Sequence, residues 1–103
     1  MKRTLCRTTS LHSDRAVTTL RSDDRAIEFH LVPTERGLFV ERVRTVLGVT
    51  RVVQVVHFAD DASFNRWCDA DSVRFDYPMI HVKLKSNGAA LFDRLLKLRA
   101  HAA

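Results

Sequence analysis

The sequence predicts an α+β domain, a two-layer α/β sandwich in which a mixed sheet of four to five strands carries its helices mainly on one face. Three observations predict it. Residues 26–32 alternate apolar and polar side chains, residues 49–58 are dense in β-branched residues, and residues 89–100 repeat leucines at helical spacing. Segments of the two kinds follow one another from residue 26 in the order β-α-β-α-β-β-α. Two βα units imply right-handed parallel crossovers, and a closing hairpin adds an antiparallel edge.

Residues 1–25 form an N-terminal arm or β-ribbon ahead of a single domain spanning 26–103. The phrases Ser13-Asp14-Arg15-Ala16-Val17 and Ser22-Asp23-Asp24-Arg25-Ala26-Ile27 each set a turn-favouring Ser-Asp before an apolar residue. A short helix capped by Ser13 and a flexible arm are the alternatives. Next, Ile27, Phe29 and Leu31 alternate with Glu28 and His30, the period of a strand with one wet face. Pro33 ends it. Thr34 is then placed to cap a helix, with Phe39, Val43, Val46 and Leu47 at helical spacing and Gly48 as its left-handed terminator.

Residues 49–58 are apolar on both faces, a pattern that belongs in the middle of a sheet or under a partner. Asp60 or Asp61 starts a short helix whose Phe64, Trp67 and Cys68 fall on one face. Residues 72–76 and 79–85 read as two further strands that break at Tyr77-Pro78. Ser86-Asn87-Gly88 reads as a turn before the last helix, in which Asp93 and Lys97 form an i,i+4 pair.

The 103-residue chain suits one domain. Its 46% apolar content supports a core without staples, and two cysteines are too few for a disulfide framework. Reduced thiols in a cytoplasmic protein are the simplest reading of Cys6 and Cys68, with one bridge between them as the alternative. No run approaches the length of a membrane span, and Arg7 interrupts the N-terminus before any signal-like apolar stretch. The net charge is +5, arranged as a basic start, an acidic stretch over 60–76 and a basic end. That arrangement favours anionic partners or is simply a solvated surface.

One local phrase resembles a known family. Pro33 through Gly48, with Arg36-Gly37-Leu38 and Val46-Leu47-Gly48, is similar to the first strand-to-helix passage of small-molecule-binding ACT domains. Arg36 stands where that family has Pro, and a helix rather than a strand is expected after the second strand. The element order also resembles the thioredoxin fold, without its redox cysteine pair. Neither resemblance carries a function over.

Two groups of side chains form candidate sites. Glu28, His30, His57 and His81 are expected outward on one sheet face, where imidazoles beside a carboxylate or among bases suit a metal or a small anion. No metal-ligand spacing supports a metal site, and no cofactor is expected. Lys83 and Lys85 on a strand with Arg94 and Lys97 on the last helix suit nucleic acid. Base-stacking aromatics are missing from that face, Phe29 and Phe75 following the inward parity. The acids Asp60, Asp61, Asp69, Asp71 and Asp76 lack the spacing of a calcium loop, and Cys68 beside Trp67 reads as a buried hydrophobe. No phosphate-gripping loop or nucleophile elbow occurs. The sequence therefore favours a non-enzymatic binding or protein-interaction module, self-associating or taking a protein partner, with RNA binding and a histidine-based ligand site as alternatives and no membrane partner.

Overall fold

A computed structural model describes residues 17–102. Four strands come first and three helices follow. The strands are β1 (Thr18–Arg21), β2 (Ile27–Thr34), β3 (Gly37–Val46) and β4 (Val49–Phe58). The helices are α1 (Asp61–Ala70), α2 (Val73–Asp76) and α3 (Pro78–Ala102). The sheet is a plain meander, β1-β2-β3-β4, and every pair is antiparallel. The domain is thus mixed α and β, as expected. The expected alternation and its parallel crossovers are not formed.

Each correction has a physical reason. The expected helix over 34–48 is strand β3. Phe39, Val43 and Val46 match a helical repeat by coincidence: Phe39 and Val43 lie on one face of the strand, while Val46 shares the other face with Leu38 and Val40, which are buried there. Gly48 does take a left-handed φ of 78°, but with Leu47 at 52° it forms the two-residue β3–β4 hairpin turn. Thr34 does bond to nearby backbone, accepting from Arg36 N at 3.2 Å, and serves a turn rather than a helix start. The passage Pro33–Gly48 is therefore strand-turn-strand, unlike the strand-to-helix passage of ACT domains.

Residues 72–76 and 79–85 are helical. Ile80 and Leu84 are buried at i,i+4 spacing and Val82 between them is exposed, so the apparent alternation was half of a helix face. Ser86-Asn87-Gly88 lies inside α3. Ser86 Oγ and Asn87 Nδ2 donate back to Lys83 O at 3.3 and 2.8 Å. Gly88 is required by packing: a Cβ there would sit 2.1 Å from Phe64 Cε2 on α1. Phe75 is 75% exposed under the Arg74 guanidinium instead of following an inward parity.

The strand expected over 26–32 is β2, but Pro33 does not end it: the strand runs on to Thr34, with Pro33 opposite Leu38. Strand 49–58 and the α1 start are found where the sequence places them. Asp60 caps α1 by accepting from Ser63 N at 2.8 Å. The early part of the expected arm, with Cys6, lies outside the described residues. Its end is β1, joined to β2 by a turn in which Ser22 N donates to Ile27 O at 3.0 Å.

The core lies between the helices and one sheet face. Phe29, Leu31, Leu38, Val40 and Phe58 meet Phe64, Cys68, Leu84, Leu91 and Phe92. Phe58, Phe64 and Trp67 form the aromatic centre, with Phe58–Phe64 centroids 5.3 Å apart. Arg42 also points into this layer. Its guanidinium lies 5.0 Å from the Phe29 ring and donates to Asp71 Oδ1 at 2.6 Å, so the charge is paired and stacked. The helix layer packs on Leu20 of β1, Ile27, Phe29 and Leu31 of β2 and Leu38 and Val40 of β3, but reaches β4 only near its C-terminal end at Phe58. That uneven cover positions the site.

Candidate functional site

The β4 strand is long and uncovered. Of its ten residues only Phe58 is buried and Val56 half-buried. It pairs with β3 on one side and has no neighbour on the other among the described residues. Its outer edge therefore presents unpaired backbone N–H and C=O groups, the template for adding another strand.

The exposed side chains there are apolar. Among the described residues, six of the eleven exposed large hydrophobics are Val46, Leu47, Val49, Val52, Val53 and Val55. Such clustering along one hairpin sets this surface apart, whereas scattered single residues would need no explanation. Register places Val52 and Val55 on the face away from the helices, opposite Val43 and Glu41. Val49 shares the helix-side parity with Arg51, beyond the reach of the helix layer. An extra residue, Val53, bulges opposite Arg42 and Val43 and is 50% exposed. This bulge and Arg51 are the only edge-blunting devices on β4, which has no Pro or Lys.

Leu47 extends the patch at the hairpin tip. It is 98% exposed and holds a φ of 52°, in a turn position that favours Asn or Gly. A bulky apolar residue there opposes both local conformational preference and solvation.

The histidine face behaves differently. On the sheet face away from the helices, His30 sits between two carboxylates. Its Nδ1 faces Glu41 Oε1 at 3.1 Å and its Nε2 contacts Glu28 Oε2. Arg21 Nε donates to Glu28 Oε1 at 2.6 Å. Burial raises the Glu28 carboxyl, but hydrogen bonds and charge from His30 and Arg21 outweigh it and leave the group below its ordinary value. Glu41 is 1% exposed, so this chain of charges ties β1, β2 and β3 together. An imidazolium can donate to both carboxylates at once, a neutral ring to only one.

The other two histidines do not join it. His57 is on the same sheet face, its ring tilted 51° against Phe39 with centroids 4.6 Å apart. His81 is on α3 instead of a strand, and its Nε2 faces Asp69 Oδ1 at 3.0 Å. Among the described residues no group of three or more His, Cys, Asp or Glu side chains could hold a metal ion.

The four bases assigned to nucleic acid all lie on α3, and they do not form one free stripe. Lys85 donates to both Asp69 oxygens at 3.0 and 3.1 Å, and with His81 it holds the Asp69 carboxyl below its ordinary value. Lys97 is paired with Asp93 at 3.1 Å, as the i,i+4 spacing implied. Lys83 rims a cleft shared with Asp23, Asp24 and Asp76. Arg94 borders an apolar groove at the other end of the helix.

Cys68 is fully buried, and burial with the nearby Asp69 charge pushes its thiol up to about 12. It cannot supply a thiolate at neutral pH. No family model, curated protein or solved structure matches this chain. Among the described residues no helix is long and apolar enough to cross a membrane.

Sequence reading identified the two-sided apolar character of β4 but left open whether it was central. The signal it missed is Leu47-Gly48, a hairpin turn that joins β4 directly to β3 and leaves β4 last in the meander.

Proposed function

We propose that the protein is a non-enzymatic interaction module that self-associates through the open edge of β4. One observation carries the reading: a ten-residue strand, apolar on both faces, stands at the sheet edge with almost none of its length buried. The sequence offered two homes for such a strand, the sheet centre or a partner's cover. Its edge position removes the first.

A second copy is the occupant whose properties are already on hand. It supplies a β-competent strand with an unpaired edge and an apolar surface to match. Antiparallel addition about a two-fold axis perpendicular to the sheet joins the two meanders into one wider sheet. Both helix layers then share one side. The Val52–Val53 bulge interrupts regular pairing, so straight segments on either side of it make the backbone bonds. Leu47 at each tip adds side-chain contact beyond the strand itself.

Light scattering across a concentration series tests the reading. The expected result is a species of two chains that Val53→Lys converts to a folded single chain. A single chain at millimolar concentration overturns it. So does a dimer indifferent to both Val53→Lys and Val55→Lys.

A further inference from the structure

Two concavities among the described residues differ in the charges that line them. One, of about 390 Å³, is bordered by Asp23, Asp24 and Asp76 near the start of α3. The other, of about 370 Å³, lies between the end of β2 and the C-terminal half of α3. Its walls are Pro33, Leu91, Leu95 and Leu98, with Arg94 and Lys97 at the rim and, among the described residues, no acidic side chain lining it. We propose that this second groove binds a medium-chain monocarboxylate, the alkyl chain against the leucines and the carboxylate at Arg94.

The spacing on α3 builds the site. Leu91, Leu95 and Leu98 recur at i, i+4 and i+7 and form one apolar row. Leu91 and Leu95 are buried and form the floor, while Leu98 is 66% exposed and raises one wall. Pro33 has no backbone N–H, so the strand end opposite offers apolar surface in place of a donor. Such a surface selects a chain without polar groups.

Arg94 supplies the charge. Its planar guanidinium matches a carboxylate with two parallel donors. Lys97 reaches the same rim while paired with Asp93 on the exposed side of the helix. Arg94 lies two turns before the end of α3, outside the last turn where the helix dipole disfavours anions. The volume is at the lower end of the roughly 300–1,000 Å³ typical of small-molecule sites, which suits one alkyl chain rather than a two-chain lipid.

Titration of the isotope-labelled full chain with decanoate, followed by NMR, tests the site. Saturable shifts are expected at Leu91, Leu95 and Leu98, and they persist in Val53→Lys because the β4 edge is separate. Arg94→Gln is expected to weaken decanoate about fivefold, the ceiling for one partly exposed ion pair, and to leave decanol unchanged. Leu98→Asp, at an exposed position, should abolish decanoate binding with the fold intact. Equal affinity for decanol and decanoate overturns the proposal. Shifts centred on Val49–Val55 also overturn it, as does binding only to phosphatidylglycerol vesicles with none to free decanoate.

Discussion

The two edges of this sheet handle exposure in opposite ways. β1 has four described residues, and its one large apolar side chain, Leu20, is buried against the core. Thr18, Thr19 and Arg21 complete it. β4 has ten residues and shows valines to solvent on both faces. The difference comes from the helix layer. α3 contacts β1, β2 and β3, and Tyr77 at its start donates to Asp24 Oδ2 in the β1–β2 turn. Among the described residues no such element lies along β4. A short edge strand is the ordinary protected state, whereas a long apolar one is the kind of edge that can pair with another strand.

The comparison breaks first if side chains at the two edges prove equally important to the single chain. Leu20→Ala is expected to cost about 2–5 kcal/mol in urea unfolding of dilute protein, the range for truncating a buried leucine. Val53→Ala should change the same measurement by no more than about 0.5 kcal/mol, as at exposed sites elsewhere. Equal losses would mean that β4 is covered within one chain.

Next comes the helix layer that creates the asymmetry. Gly88→Ala should cost about 1–3 kcal/mol, because the added methyl meets a Phe64 ring that its aromatic neighbours prevent from moving. A neutral result would show that α1 and α3 are not closely apposed. Leu47→Asn sharpens the comparison from the other side. It should stabilise the dilute single chain by about 1 kcal/mol, since Asn tolerates the left-handed turn position, and it should weaken self-association. Loss of stability on that change would remove the argument that Leu47 is kept for contact.

The smallest effect concerns pH. Glu28 has a folded value below its ordinary 4.5, so its stabilisation is complete above that value. It is lost as the pH falls through the lower folded value. Glu28→Gln should therefore flatten the acid limb of a stability–pH profile while leaving the profile near neutrality parallel to the wild type.

These expectations also show how far the sequence could be read. β2 and β4 were legible because their periodicities are strong; the Asp60 cap bounds β4, whereas Pro33 does not end β2 but lies inside it opposite Leu38. Asp60 bonding to Ser63 N made the α1 start legible for the same local reason. β3 was not, because a strand apolar on both faces offers residues at every spacing, including a helical one. α3 was only half legible, since Gly88 signals a turn in sequence and a close helix crossing in three dimensions. Of the candidate residues, Glu28 and His30 meet because they are two apart on one strand. His81 could not be placed without first knowing that residues 79–85 are helical. The edge position of β4 depends on the whole strand order, which no local pattern reports.

Amide hydrogen exchange along β4, measured over a hundredfold dilution series, tests the central claim most directly. The account predicts that outward-pointing amides within Val49–Phe58 are protected at high concentration and exchange freely when dilute, while β2 amides stay protected throughout. Rapid exchange of those β4 amides at every concentration, or protection that ignores dilution, would contradict it.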